Sequence, residues 1–512
     1  MTAFTALFPC RLARWVLILL APCALAHAGT CETLAKQTAP GVSIESAEAV
    51  TGGSFKPSAG PAGPWTGGEL TGLPGFCRVV VRFQPTPDSD IHAEIWLPLT
   101  GWNGKFLAVG SGGWGGSIDQ QGLAEGLRRG YVTSATDDGH RGGGGAFVLG
   151  HPQKFIDFAY RSEHEMTVEA KVLIKSFYGK PPRYSYWQGC SGGGREGLLQ
   201  AARYPEEFDG VIAGDPANVR RNAWALWLAN RTFKDADARI PAAKYPLIHS
   251  AVLAACDARD GVKDGLIDDP PSCQVDFHVL LCKAGDAPDC LTARQVESAQ
   301  TILTAPHLAD GTEVFPRLEP GTELQWARLA GGPDPGELFL DQFRYLVYQD
   351  PNWDWRTFDL ERDFVKANAA NRDIVELNPN LAAFARRGGK LLIYHGWADQ
   401  QVAPGSSVGF YRSAAALSPK PDRVGDWMRL FMVPGMGHCR GGEGPDNFDT
   451  LPVIEQWVEH NQAPDRIVAA HVTQANPTQA RADRTRPLCP YPQRARYVGS
   501  GSIDAAENFK CR

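Results

Sequence analysis

Tyr184-Ser-Tyr-Trp-Gln-Gly-Cys-Ser-Gly-Gly-Gly-Arg-Glu-Gly-Leu-Leu-Gln200 is the stretch that decides the fold. Its opening residues, Tyr184 to Trp187, favour a strand, which ends at Gly189. Cys190, Ser191 and three glycines follow, and then a helix-like run through Leu198, Leu199, Ala201 and Ala202. Gly189-x-Ser191-x-Gly193 has the form of a nucleophile elbow, a tight strand-to-helix turn with a serine at its apex. Such a serine is held in a strained backbone conformation, so its neighbours must lack bulky side chains. The helix that follows aims its free amides and positive dipole end at a developing oxyanion. Gly405-Ser406-Ser407-Val408-Gly409 also fits the pattern, but it follows Ala403-Pro404 rather than a strand, so the required context fails.

A nucleophilic serine needs a base, and the base needs an orienting acid. On an α/β-hydrolase sheet these arrive in the chain order serine, acid, histidine, on loops after successive strands. The strand-like run Lys390 to Tyr394 leads to His395-Gly-Trp-Ala-Asp399, and Arg429 to Val433 leads to Pro434-Gly-Met-Gly-His438. Asp399 is therefore the expected acid and His438 the expected base. The rivals Asp137 and Asp138 precede the serine, and the rival His395 lies on the acid loop. Cys190 directly precedes Ser191 and Cys439 directly follows His438. A bridge between them needs Cα atoms roughly 4.4–6.8 Å apart, which would fasten nucleophile and base together. The expected strand Lys105 to Val109 runs into Gly110-Ser-Gly-Gly-Trp-Gly-Gly116, where the fold places a second oxyanion amide. A phosphate cradle is the lesser reading, because neither a Gly-Lys-Ser/Thr ending nor a dinucleotide fingerprint is present.

The 512 residues are 43% hydrophobic with a formal net charge of −6. Mild acidity without a basic run argues against nucleic acid as a partner. Beyond the N-terminus no apolar run reaches membrane-spanning length, so no stable membrane span is expected. The N-terminus reads as a signal peptide over residues 1–28: Arg11 and Arg14 precede the apolar run Trp15 to Ala26, and Ala26-His27-Ala28 is a cleavage site before Gly29. Leu20-Ala-Pro-Cys23 offers a lipoprotein alternative that Pro22 disfavours, and the run is short for a retained anchor. Cleavage leaves ten of the twelve cysteines. An even number in an exported chain, secreted or periplasmic, predicts a full disulfide set. Counting does not fix the pairing, although Cys256–Cys273 and Cys282–Cys290 would close short loops.

Residues 29–75 are rich in Gly, Pro and Ser. Strands are expected at Cys77 to Phe83, Ile91 to Leu97, Tyr131 to Thr136 and Gly210 to Gly214, and a helix at Ser162 to Phe177 with Ser162 and Glu165 as a capping box. This alternation predicts an α/β core with a mostly parallel sheet. Between Ala217 and Arg387 the rhythm breaks. The predicted organisation is a catalytic domain over 29–216 and 388–512, with an inserted lid over 217–387. The lid is rich in aromatics, among them Trp224, Trp227, Phe343, Tyr345, Tyr348, Trp353 and Trp355. Such side chains suit either stacking on a planar substrate ring or lid packing. A closing helix is expected at Thr450 to His460, and Cys489 with Cys511 would staple the tail. In the lid, Asp257-Ala-Arg-Asp260-Gly-Val-Lys-Asp264-Gly-Leu-Ile-Asp268-Asp269 repeats carboxylates every three or four residues, with glycines for tight turns. Hard oxygen ligands on a winding loop suit a structural calcium ion, although the EF-hand spacing is absent.

Taken together, Cys190-Ser191, Asp399, His438-Cys439, the acidic loop and the ending Arg486-Pro-Leu-Cys-Pro-Tyr-Pro resemble the tannase/feruloyl esterase family of α/β-hydrolases. The resemblance covers nearly all of the chain after the leader. It implies calcium held by Asp257, Asp260, Asp264 and the carbonyls of Val262 and Leu266. It implies disulfides Cys31–Cys77, Cys190–Cys439, Cys256–Cys273, Cys282–Cys290 and Cys489–Cys511, and oxyanion amides from Gly192 and Ser111. It implies hydrolysis of small aromatic esters, galloyl or hydroxycinnamoyl, with a terephthalate monoester as the alternative. Two other readings differ in kind: a non-catalytic, calcium-dependent binding module, and a secreted serine peptidase on the same fold.

Overall fold

The computed structural model describes residues 1, 30–57, 68–327, 332–371, 377–472 and 482–512. The expected signal peptide with its cleavage site, and the alternative lipoprotein motif at Cys23, fall on residues 2–29, outside the described residues.

Ten strands form one sheet: β1 Thr38–Ala39, β2 Val42–Val50, β3 Phe76–Phe83, β4 Ile91–Pro98, β5 Lys105–Val109, β6 Val132–Thr136, β7 Tyr184–Cys190, β8 Gly210–Gly214, β9 Lys390–Gly396 and β10 Met428–Val433. Their spatial order is β1-β2-β3-β4-β6-β5-β7-β8-β9-β10. The pairings from β1 to β6 through β4 are antiparallel. From β6 through β5 to β10 every pairing is parallel. This is the α/β-hydrolase sheet, with β5 and β6 exchanged relative to chain order.

Four helices matter for the site: α1 Ser162–Tyr178, α2 Gly192–Arg203, α3 Arg220–Thr232 and α4 Leu451–His460. The two-residue period of a strand sorts side chains between the faces of the sheet. On one face Val211 and Ala213 of β8 and Leu391 and Ile393 of β9 join Met166, Leu173 and Phe177 of α1 and Leu198 of α2. On the other face Ile212, Leu392 and Phe431 pack on Leu451, Ile454 and Trp457 of α4. Strands covered on both faces read as continuous apolar runs, and for this reason β8, β9 and β10 are visible in the sequence.

The helix expected to start at a Ser162 cap is longer. It opens at Pro152–Ile156 and passes through a π-helical turn, Asp157–Arg161, into α1. Ser162 is buried inside this run and its hydroxyl donates to the Asp157 carbonyl at 2.8 Å, so it caps nothing. The upstream turn was hidden because Asp157 to Arg161 breaks the 3.6-residue period.

Between β8 and β9, helices and turns gather around an apolar cluster of their own. Trp224, Trp326, Phe343 and Trp355 lie in its middle. Most of the aromatics predicted for ring stacking or packing therefore pack. The five bridges pair as the family resemblance implied, with Cα–Cα distances of 5.0–6.0 Å. Beyond Cys489 the tail covers the β10 edge, where the Tyr491 amide donates to the Leu430 carbonyl at 2.7 Å. An uncovered edge would offer unpaired backbone groups to another chain.

Candidate active site

At the end of β7 the chain turns sharply. Ser191 sits at φ 60° and ψ −115°, outside the regions that L-residues ordinarily occupy. Its amide donates to the Gly214 carbonyl and its carbonyl accepts from the Ala217 amide, both at 2.9 Å, so β8 and the loop after it fix the strain. The glycines are a steric requirement. A Cβ on Gly189 would lie 2.5 Å from the Gly193 carbonyl carbon, and one on Gly194 would lie 2.3 Å from the Gly214 oxygen. As first residue of α2, Gly192 has no intrahelical carbonyl for its amide.

The loops after β9 and β10 bring the expected acid and the expected base together. His438 Nδ1 donates to Asp399 Oδ2 at 2.7 Å. Asp399 Oδ1 accepts from the amides of Gln401 and Val402 at 2.7 and 2.9 Å, so the whole carboxylate is oriented. Burial works against its charge, but His438 and His395 outweigh burial and hold this carboxyl well below the usual range. The Cys190–Cys439 bridge, with Cα atoms 6.0 Å apart, ties the residues flanking Ser191 and His438. It closes a sequence separation of 249 residues that includes all of 217–387. In the chain-entropy account, a loop of this size contributes about 5 kcal/mol of stability at most. A Cys190→Ser/Cys439→Ser double variant is accordingly expected to melt well below the parent. A nucleophile displaced from its base by about 1 Å costs on the order of 10² in kcat. Thermal melting and steady-state kinetics check both expectations.

The rivals have other partners. His395 is fully buried: Nε2 donates to the Val402 carbonyl at 2.9 Å, Nδ1 meets Ser407 Oγ at 2.7 Å, and Asp399 Oδ2 lies 3.2 Å from Nε2. Asp137 accepts from the His92 and Gly139 amides. Asp138 holds Ser111 Oγ at 2.5 Å. Asp215, which the sequence reading overlooked, groups with Asp399 and His438 within 4.8 Å. Its Oδ1 accepts from the Gly396 amide at 3.0 Å, and burial pushes its carboxyl up to about 7. Arg221, also overlooked, is buried at the start of α3 with its guanidinium 5.6 Å from the Phe339 ring, and burial pulls it down to about 10.

Ser111 differs from expectation. Its amide donates to Glu196 Oε2 at 2.9 Å and is not free for an oxyanion. The backbone that faces the elbow is the next step of the loop: a Cβ on Gly192 would lie 3.4 Å from Gly112 Cα and from the Gly113 nitrogen.

The acidic loop 257–269 folds back on itself. Asp257 accepts from the Asp264 and Gly265 amides at 3.0 and 3.1 Å, Asp260 from Val262 at 2.8 Å, and Asp264 from Leu266 at 3.1 Å. Arg486 pairs with Asp264. Among the described residues these carboxylates do not form a preassembled group of three within 4.8 Å. Burial nevertheless pushes Asp260 up to about 6 and Asp268 to about 7, with like charges of the same loop adding to it. Crowded, buried or half-buried hard-oxygen donors are the chemistry that a calcium ion relieves, so the residues present suit it.

The family described as "Tannase and feruloyl esterase" matches residues 77–512. An uncharacterized esterase of Xanthomonas campestris pv. campestris is 37% identical, over 94% of this chain and 91% of that protein. A protein of Aspergillus clavatus named probable feruloyl esterase B is 32% identical, over 98% and 99% of the two chains. The crystal structure of feruloyl esterase B from Aspergillus oryzae superposes with a TM-score of 0.87 at 31% identity, covering 94% of this chain and 99% of that one.

Proposed function

This chain belongs to the tannase and feruloyl esterase family of carboxylic ester hydrolases, and we propose that it is an exported serine esterase that cleaves esters of small aromatic acids. Ser191 Oγ attacks the ester carbonyl while His438 Nε2 takes its proton. The Gly192 amide, with one from the loop at Gly112, holds the oxyanion. Collapse expels the alcohol, which receives the proton from His438. Water, deprotonated by His438, then attacks the acyl-enzyme, releasing the acid and restoring Ser191. The observation that carries this reading is the oriented His438–Asp399 pair, disulfide-linked to the strained serine turn.

Aromatic acids are favoured because the relatives include proteins named for feruloyl esters. Methyl ferulate, methyl gallate, chlorogenate and mono(2-hydroxyethyl) terephthalate should separate the acyl groups, with ferulate or gallate turned over fastest. A fluorophosphonate should add once, at Ser191, by peptide mass spectrometry. No turnover of any of these esters and no labelling would leave the binding-module reading. Faster cleavage of an amide than of the matching ester would favour the peptidase.

In the lid, Asp257, Asp260 and Asp264 with the carbonyls of Val262 and Leu266 would hold calcium. Its role there is structural, neutralising the loop next to the Cys256–Cys273 bridge. A ligand present at a hundred times its Kd adds about 2.7 kcal/mol to the folded state. Chelation should therefore lower the melting temperature, calcium should restore it, and Asp260→Asn should abolish the difference.

A further inference from the structure

Ser111 and Glu196 are 85 residues apart, yet they meet twice in the structure. The Ser111 amide donates to Glu196 Oε2 at 2.9 Å, and the Ser111 hydroxyl lies 2.8 Å from Glu196 Oε1. A third tie runs the other way, from the Gly193 amide to the Ser111 carbonyl at 2.7 Å. Glu196 lies one helical turn beyond Gly192 on α2. The helix that supplies one oxyanion amide thus grips the loop that supplies the other. Contact between loop and elbow is tight: a Cβ on Gly110 would fall 2.5 Å from Gly193 Cα and 2.9 Å from Glu196 Oε2.

The hydroxyl has a second carboxyl neighbour, Asp138 Oδ2, at 2.5 Å. A serine hydroxyl carries one proton and cannot donate to two carboxylates at once. One of the two acids must therefore be protonated and donate to Ser111 Oγ. Glu196 receives the amide and the hydroxyl and has the Arg195 guanidinium at 3.5 Å. Among the described residues Asp138 Oδ1 has no hydrogen-bond partner, and it is buried. The anion is thus Glu196 and the neutral acid Asp138. Burial, then the Glu196 and Glu163 charges, raise the Asp138 carboxyl well above its usual range, in the same sense.

We propose that Glu196 is a positioning residue of the oxyanion hole, holding the Gly110–Gly116 loop at the elbow through its two-point grip on Ser111, with Asp138 completing the grip as a neutral carboxylic acid. The assignment rests on the serine-esterase reading above and extends it to a residue that never touches substrate.

The test compares Glu196→Leu, Glu196→Gln and Asp138→Asn with the parent, with Ser191→Ala alongside. Losing one oxyanion donor costs about 10²–10³ in kcat, and that is the fall expected for Glu196→Leu, with KM unchanged. Affinity for a phenylboronic acid, whose adduct on Ser191 places an oxygen in the hole, should fall in parallel. Glu196→Gln keeps a carbonyl oxygen for the Ser111 amide and should retain most activity, which a need for bulk or charge alone would not explain. Asp138→Asn supplies an N–H where the acid supplied its O–H and should also remain active. Should Glu196→Leu fail to fold, the Gln and Asn variants still decide: loss of boronate affinity in both, with native melting, overturns the proposal. So does an unimpaired Glu196→Leu. An active Ser191→Ala would instead overturn the serine mechanism itself, whatever the Glu196 variants do.

Discussion

Ser191→Ala is expected to lower kcat about 10⁶-fold, the loss seen when a serine hydrolase is deprived of its nucleophile. The residual rate should lie above that in water, because the proposed oxyanion amides of Gly192 and the Gly112 loop survive the substitution. The fold should be untouched. The turn is held by the 2.9 Å bonds from Ser191 N to Gly214 and from Ala217 N to Ser191 O, which alanine keeps. Alanine also keeps the strain, since φ 60° and ψ −115° are unfavourable for any residue with a Cβ. Ser191→Gly removes it. That variant should be equally inactive but more stable, by about 1–3 kcal/mol at most, the amount stored by one residue in such a conformation. Matched inactivity with a higher melting temperature for the glycine variant would separate the serine's chemical role from its structural cost. Kinetics on an aromatic ester and thermal melts provide both readouts. Turnover that persists in Ser191→Ala would remove the basis for the whole assignment.

What the sequence disclosed depended on how local each signal was. The elbow was legible because its glycines are demanded by backbone contacts within a few residues, as between Gly189 and Gly193. Strands β8 to β10 were legible because burial on both faces leaves an uninterrupted apolar run. The Cys190–Cys439 bridge could be anticipated because its ends neighbour two residues that chemistry brings together. The grip of Glu196 on Ser111 left no mark, because it joins residues that look unremarkable singly. Asp215 was passed over for a related reason: an Asp-Pro after a strand reads as a turn, and only the folded loops put it beside Asp399. The Ser111 amide was misjudged because a glycine-rich loop shows where a donor arises but not which peptide faces the elbow. The aromatics between β8 and β9 show the limit of composition, which does not tell a packed Trp224 from one that meets a substrate ring.

Asp399→Asn is the second large effect expected, a fall of about 10⁴ in kcat, and its cause is a tautomer. Asp399 Oδ1 accepts two backbone amides, from Gln401 and Val402. In the variant the amide oxygen must stay there, because an NH₂ group would face two N–H donors. The new NH₂ then occupies the Oδ2 position, 2.7 Å from His438 Nδ1. Two donors cannot share that contact, so Nδ1 must give up its hydrogen and accept. The proton moves to Nε2, the atom that takes the proton from Ser191 in the proposed mechanism. KM should change little, since geometry is preserved. Asp215 provides the control, because it groups with the same histidine and is as fully buried. Its carboxyl, pushed up to about 7 by burial, is largely neutral below that pH. Asp399 remains ionised because two histidines face it. Only the ionised group can hold His438 in the reactive tautomer and stabilise the imidazolium that forms. Asp215→Asn should therefore retain most of the activity at pH 6, whereas Asp399→Asn should not. The reverse result would transfer the role of acid to Asp215 and detach the β9 loop from the catalytic chemistry.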